Sequence, residues 1–250
     1  MTQVQVIDYQ RFESSLDALR ERYGNAQPFP HIAFDDFLPK AYVQLLNEQF
    51  PDTEAKRKQG SEHTPVILEN GQEAQLGKEW LSRESFVSLP FRRLYWELNS
   101  TRFVRLLEDL TGIEKLLVDP HLFGGGVHQV KPGGYLKVHA DFNIHPDFGY
   151  ERRLNLLIYL NENWPPEYGG NLEFWSRDMR QCVQSFAPLA GRCVIFNTLS
   201  TAFHGHPHPL TCPPHRRRRS IALYYYSHGC PEEGDKAAHG TLWQQLPGES

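Results

Sequence analysis

The sequence predicts an α+β protein with a mainly β core, and two observations lead to that prediction. Apolar residues recur at helical spacing through roughly the first hundred residues, whereas short apolar or alternating runs between Gly and Pro clusters follow from about residue 116. The number and spacing of these runs are typical of an antiparallel sandwich or barrel. We therefore expect a helical support region over residues 1–115, a β core over 116–230 and a tail over 231–250, all in one unit.

The helical part contains three amphipathic segments, expected over residues 8–23, 40–50 and 89–110. Gly24 and Gly112 follow the first and third segments and are expected to end them, because glycine commonly follows the last turn of a helix. A short extended run precedes the second helix, and polar residues 52–75 are expected to form a loop.

The β part contains eight runs with the character of strands. They are expected over residues 122–130, 135–139, 153–160, 172–175, 182–186, 192–197, 202–204 and 218–226.

Composition excludes several classes of protein. The formal net charge of −4 gives no general attraction to nucleic acid or to an anionic membrane. No apolar run approaches the length of a membrane span and no apolar signal core opens the chain, so we expect a cytoplasmic protein without membrane contact. The four cysteines lack a pattern of disulfides or zinc ligands and are expected to be reduced.

A His-x-Asp pair, His139 and Asp141, ends the second expected strand. Residues two apart on a strand face the same side, so the imidazole and the carboxylate can bind one metal ion. Two histidines and one carboxylate are the ligands typical of non-haem iron(II) oxygenases. The pair alone is weak evidence, because a solvated His beside an Asp is common.

A third ligand has three candidates in one segment, His204, His206 and His208. The segment lies far enough beyond Asp141 for the chain to cross a barrel and return. The same three histidines could equally form an exposed polar turn shaped by neighbouring Gly and Pro residues.

Four consecutive arginines, 216–219, precede an apolar and aromatic strand. Such a run is also typical of nucleic-acid binding, but the strand draws part of it toward the core. A buried arginine needs an anion, and Arg218 and Ser220 share one strand face, where together they can bind a carboxylate.

The order of these motifs resembles the prolyl 4-hydroxylase-like branch of the 2-oxoglutarate- and iron(II)-dependent oxygenases. The segments that carry the resemblance are GGGVHQVKPGGYLKVHADFN, RRLNLLIYLNENWPPEYGGNLEFW, GRCVIFNTLSTAFHGHPHPL and RRRRSIALYYYS. Each motif is modest, but the ordered set is specific. The resemblance implies a double-stranded β-helix, or jelly roll, with supporting N-terminal helices that act with it as one catalytic unit.

By the same resemblance, iron(II) is bound by His139, Asp141 and His204, which the family pattern favours over His206 because a glycine follows it. The 2-oxoglutarate cosubstrate is bound by residues from several strands, namely Arg218, Ser220, Tyr159, Asn155 and Leu172. The substrate entrance is expected in the loop after the His-x-Asp pair, with Asn143, His145 and Arg152 as candidate contacts.

The implied activity is hydroxylation of an unactivated C–H bond in an amino-acid, peptidyl (prolyl-type) or small natural-product substrate. It consumes O2 and 2-oxoglutarate, releases succinate and CO2, and uses ascorbate as an optional reductant. Retention of Asp141 favours hydroxylation over halogenation, because no open metal position for a halide is evident. The alternative is a non-catalytic jelly-roll module that binds a metal or serves regulation.

Overall fold

The computed structural model describes residues 6–53, 66–68, 71–229 and 237–248. Its α-helices are α1 (Tyr9–Glu13), α2 (Leu16–Gly24), α3 (Lys40–Glu48), α4 (Leu89–Leu98) and α5 (Thr101–Thr111). Short 3-10 turns occupy Glu84–Phe86 and Pro166–Tyr168. None of the helices in these described ranges is long and apolar enough to span a membrane.

The strands form one curled, antiparallel sheet. They are β1 (His31–Phe34), β2 (Gln75–Leu81), β3 (Leu117–Val118), β4 (Gly126–Ala140), β5 (Glu151–Tyr159), β6 (Leu172–Trp175), β7 (Cys182–Phe186), β8 (Cys193–Asn197), β9 (His204–His206), β10 (Arg218–Ser227) and β11 (Leu242–Trp243). The order of the main path is β1-β8-β5-β10-β4-β9-β6-β7, while β2 and β11 pair with β4 and β3 pairs with β10.

The long strand β4 joins the two halves of the sheet. Its first part pairs with β10, from Gly126 to Val130, and its last part pairs with β9, from Leu136 to His139. A strand that changes partner in this way bends the sheet into a half-barrel, as in a jelly roll. The His-x-Asp pair therefore lies where the two halves meet.

Strands β5 and β10 separate the helical layer from the interior of the half-barrel. On β5, Leu154, Leu156 and Ile158 are fully buried against the helices, in a core that also holds Phe91 and Phe103. The alternate residues of β5 face the interior, because side chains alternate across a strand. Polar groups such as Asn155 therefore face the interior of the half-barrel.

Several expected elements are confirmed with shifted limits. The expected helix 89–110 is two helices, because the Ser100 side chain accepts the backbone N–H of Phe103 and begins a new helix there. The expected helix 8–23 is likewise interrupted, between Glu13 and Leu16. The strand expected over 135–139 and residues 126–130 of the one expected over 122–130 are parts of β4, whereas residues 122–125 precede it and are not strand.

Strand β2 was not expected, since residues 52–75 were assigned to a loop and no strand signal was recognised beyond it. Residues 54–65 and 69–70 of that expected loop lie outside the described part of the chain. With β1 and β2, the N-terminal part contributes strands to the sheet as well as helices. The tail also contributes a strand, β11, which pairs with β4 at His139 and Ala140.

Candidate active site

A cavity opens in the interior of the half-barrel. Its walls come from the inward faces of six strands, β2, β4, β5, β6, β9 and β10. Apolar side chains form part of the lining, namely Val130, Leu136, Leu157 and Leu172. The remaining lining is rich in histidine and in charged groups, a combination typical of a binding or catalytic site.

His139, Asp141 and His204 form the only potential metal-binding group found within the described residues. One ligand atom from each residue lies within 4.8 Å of the other two. Asp141 Oδ1 is 3.5 Å from His139 Nε2, and Asp141 Oδ2 is 3.4 Å from His204 Nε2. The pairing of His139 with His204 between β4 and β9 brings the two imidazoles together.

Each of these imidazoles is oriented by a backbone carbonyl. His139 Nδ1 lies 2.8 Å from the oxygen of Lys137, and His204 Nδ1 lies 2.9 Å from that of Ala202. A carbonyl can only accept, so Nδ1 carries the proton and the Nε2 lone pair points toward the third residue. This is the arrangement by which proteins usually fix a metal-binding histidine.

The carboxylate of Asp141 is fixed by two neighbouring side chains. Asn155 Nδ2 donates to Asp141 Oδ2 at 2.7 Å, and Arg152 Nη2 lies 3.1 Å from the same oxygen. Burial alone would raise the pKa of Asp141, but Arg152 and the two histidines outweigh it and hold that pKa well below its usual value. Asp141 is therefore an anion at neutral pH.

Arg152 is itself held in place. Its Nε and Nη2 donate to Asn155 Oδ1 at 3.0 and 2.7 Å, and its guanidinium stacks 3.5 Å from the centre of the Tyr224 ring. Arg152, expected as a substrate contact, lines the cavity beside the metal-binding group.

The other two expected substrate contacts do not line the cavity. Asn143 is buried and binds the C-terminal segment, donating to the oxygen of Ala237 and accepting from the N–H of His239. His145 is buried, with Nε2 3.5 Å from Asp119 and its ring beside Phe148. Both residues stabilise the surrounding loops, which their sequence positions could not reveal.

His206 also faces the cavity but stands apart from the metal-binding group. Its Nδ1 is buried without a hydrogen-bond partner, and burial followed by Arg218 and Lys78 lowers its pKa far below the usual value. His204 is also neutral, since burial lowers its pKa to about 4. His208, the third candidate, is mostly exposed and approaches Glu173 at 3.9 Å.

Arg218 is buried at the end of the cavity formed by β5, β6 and β10. Its Nε donates to the Gly170 oxygen at 2.6 Å, its Nη2 approaches Tyr159 Oη at 3.5 Å, and its guanidinium lies over the Tyr159 ring. Among the described residues no carboxylate pairs with Arg218. Ser220 and Leu172 line the same cavity.

The other arginines of the run face away from this cavity. Arg216 and Arg217 donate to backbone carbonyls, whereas Arg219 lies 4.2 Å from the centre of the Phe50 ring. The alternation expected for the strand therefore separates Arg218 from its neighbours.

Lys78, on β2, is a cavity residue that sequence reasoning missed. It pairs across strands with Val130, just beyond a break in register between Leu76 and Lys78. Gly77, within this bulge, has φ of +67°, a conformation that favours glycine. A bulge changes the direction in which the following side chains point. Gly77 is therefore the only local signal in the sequence that could have indicated that Lys78 faces inward.

Comparisons with known proteins agree with this geometry. Residues 125–226 match the family model described as the 2OG-Fe(II) oxygenase superfamily. No curated protein sequence matches the chain significantly.

Several solved structures share the fold. A prolyl-4-hydroxylase from Pseudomonas putida is 19% identical, with a TM-score of 0.53 over 86% of this chain and 100% of that chain. A Trichoplax adhaerens prolyl hydroxylase, solved with a hypoxia-inducible-factor peptide, is 15% identical, with a TM-score of 0.57 over 88% and 94%. HygX from Streptomyces hygroscopicus, solved with nickel, 2-oxoglutarate and hygromycin B, is 14% identical, with a TM-score of 0.52 over 91% and 97%.

The jelly-roll fold, the His-Asp-His group and the matched domain define an iron(II)- and 2-oxoglutarate-dependent dioxygenase. Over residues 125–226 the chain is similar to the domain that defines the 2OG-Fe(II) oxygenase superfamily.

Proposed function

We propose that His139, Asp141 and His204 bind the iron of a hydroxylase. Two imidazoles and one ionised carboxylate, all converging on one point, fit the ligand set that iron(II) takes in this class. These three ligands would approach the iron from one side, so its other side, which faces the cavity, remains open for the cosubstrate and O2. The convergence of these three groups is the observation that carries the proposal.

Arg218 is the residue we assign to the distal carboxylate of 2-oxoglutarate. A buried guanidinium without a protein carboxylate needs an anionic partner, and the Gly170 carbonyl fixes its orientation. Tyr159 approaches the same guanidinium and can donate its hydroxyl hydrogen to the same carboxylate. Ser220 and Leu172 complete this end of the cavity, whereas Asn155 acts on Asp141.

When bound, iron and 2-oxoglutarate supply the oxidation, placing one oxygen atom of O2 in a substrate C–H bond and the other in succinate. The protein contributes placement and exclusion of water. Arg218 and Tyr159 orient the cosubstrate, and apolar cavity walls limit the access of water. Arg152 keeps Asp141 ionised, and Asn155 fixes the orientation of its carboxylate. The helices and the jelly roll then act as one catalytic unit.

The substrate is an amino acid, a peptidyl residue or a small natural product. Support comes from the structural relatives, one solved with a peptide and another with hygromycin B. The expected location is the cytoplasm, since Cys182, Cys193 and Cys212 are free thiols. Cell fractionation with an antibody against the chain would check this location.

The test of the proposed function is spectroscopic and does not need the substrate. Iron(II)-loaded protein is mixed with 2-oxoglutarate without oxygen, and the weak charge-transfer band in the green is recorded. We expect the band in the native protein and its loss in His139→Ala. Folded protein that binds iron(II) but gives no band at any 2-oxoglutarate concentration would show a non-catalytic metal-binding module instead.

A further inference from the structure

Lys78 places an ammonium group in the cavity without a hydrogen-bond acceptor. Among the described residues, no carbonyl or carboxylate lies within hydrogen-bond distance of Lys78 Nζ, and its nearest recorded partner is the Trp80 ring at 5.8 Å. The other lysine beside this part of the sheet, Lys131, pairs with Glu79 at 2.6 Å. An ammonium in a cavity loses hydration, and without a hydrogen-bond acceptor this loss is not fully compensated unless a ligand supplies an anion.

The charges around Lys78 show which anion is missing. Arg152 pairs with Asp141, and Arg218 takes the distal carboxylate of 2-oxoglutarate under the proposed function. A doubly charged metal ion and a dianionic cosubstrate neutralise each other. Counted together, however, Lys78, Arg152, Arg218 and iron(II) outweigh Asp141 and the cosubstrate by two positive charges, and Lys78 is the cationic side chain of this cavity, among the described residues, for which neither Asp141 nor the cosubstrate supplies the partner.

Two neutral imidazoles border the same space. His128 Nε2 and His206 Nδ1 are both buried without a hydrogen-bond partner. Burial, followed by the charge of Lys78, lowers the pKa of His128 to about 3. Two independent polar atoms thus lack a partner in the region that Lys78 influences.

Lys78 itself remains mostly protonated at neutral pH. Burial lowers its pKa to about 8, and the attraction of Asp141 opposes that effect. The Lys78 ammonium suits a carboxylate, which accepts several hydrogen bonds at once, and His206 can donate a further one in the tautomer that carries its proton on Nδ1.

We propose that Lys78 determines specificity by binding a carboxylate of the primary substrate, so that the substrate is a small carboxylic acid. The proposal rests on the proposed function, because it assigns Arg218 to the cosubstrate. A free acid satisfies Lys78, whereas an uncharged internal residue of a peptide leaves its charge unpaired.

The experiment compares acids with their neutral amides. Iron(II)- and 2-oxoglutarate-loaded protein is titrated anaerobically with amino acids and aliphatic carboxylic acids, each beside its carboxamide, while the charge-transfer band is followed. Lys78→Met removes the charge at similar length and Lys78→Arg keeps it. Lys40→Met, at an exposed lysine of α3, is the control. Circular dichroism confirms that each variant is folded.

We expect at least one acid to perturb the band while its amide does not. Lys78→Met should weaken binding of that acid by about 10- to 100-fold, because a hydrogen bond to a charged group is lost. Lys78→Arg should keep part of the affinity, and affinity for 2-oxoglutarate should change by less than about 3-fold in both variants.

Three results would overturn the proposal. Acids and amides could bind equally, or no acid of the panel could perturb the band of the native protein. A large loss of 2-oxoglutarate affinity in Lys78→Met would assign Lys78 to the cosubstrate instead. Absence of the band before any acid is added would contradict the proposed function itself, and is thereby distinguishable from these three.

Discussion

Asn155 donates a hydrogen bond of 2.7 Å from Nδ2 to Oδ2 of Asp141, the carboxylate between the two histidines of the metal-binding group. The same oxygen also lies 3.1 Å from Arg152 Nη2, so Oδ1 is the less engaged oxygen of the carboxylate. The resemblance implied that Asn155 contacts the cosubstrate. In the structure the Asn155 amide instead contacts Asp141, so Asn155 positions that carboxylate.

Substituting Asn155 is expected to weaken metal binding. Asn155→Ala removes the donor that orients Asp141 and should reduce affinity for Fe(II), or for Co(II) as a spectroscopic substitute, by about 10-fold. Asn143→Ala is the matched control, because Asn143 is similarly buried but binds Ala237 and His239. Equal losses of metal affinity in the two variants would contradict the assigned role.

The two histidines of β9 are expected to behave differently. His204→Ala removes a proposed ligand and should abolish stoichiometric metal binding, measured by calorimetry with Co(II). His206→Ala changes a neighbour on the same strand face and should leave the stoichiometry unchanged, because His206 lies outside the metal-binding group. The reverse pattern would make His206 the third ligand.

Arg218 is expected to control affinity for 2-oxoglutarate. Arg218→Met removes the buried guanidinium and should raise the Kd for 2-oxoglutarate by about 100-fold, since a bidentate charged contact is lost. Arg217→Met removes an arginine of the same run that binds the oxygens of Pro214 and Arg216. If both variants bind 2-oxoglutarate equally, the cosubstrate does not use Arg218.

Gly170 is expected to matter through its contact with Arg218. A Cβ at Gly170 would lie 2.9 Å from Arg218 Cδ and 2.5 Å from Leu210 Cδ2, so Gly170→Ala should displace the guanidinium and weaken 2-oxoglutarate binding by about 10-fold or more. Gly169→Ala carries a similar backbone strain, with φ of +68°, but meets nothing closer than 4.0 Å. Only a larger effect at Gly170 fits the proposed contact.

The free energy of unfolding is expected to fall in acid, partly through His31. His31 is buried beside Phe174 and Phe186, and burial lowers its pKa in the folded protein. The unfolded chain therefore takes up a proton first, near pH 6.5, and stability decreases as the pH falls below that value.

Urea unfolding at pH 7, 6 and 5 measures this dependence. His31→Phe should flatten it by up to about 1.4 kcal/mol per pH unit, the limit for one proton. His208→Gln, at a side chain that is 69% exposed, should leave the slope unchanged. An unaltered slope in His31→Phe would show that His31 does not bind the proton differently in the two states.

Local patterns in the sequence were enough to predict a mainly β core and many of the residues at the site. Alternation along β5 and β10 indicated which residues share a face, because that property depends only on the period of a strand. The same rule placed His139 beside Asp141. The order of motifs then indicated the family, and with it the jelly roll and the cosubstrate.

Which strands pair, and which side chains meet across them, became clear only from the tertiary structure. Strand β2 carries Gly, Lys and Glu without a clear alternation, and its place depends on pairing with β4 more than forty positions along the chain. The choice of His204 over His206 follows from the register between β4 and β9, and Asn155 meets Asp141 because two separate strands converge. Contacts of this kind depend on long-range packing, which a local pattern does not encode.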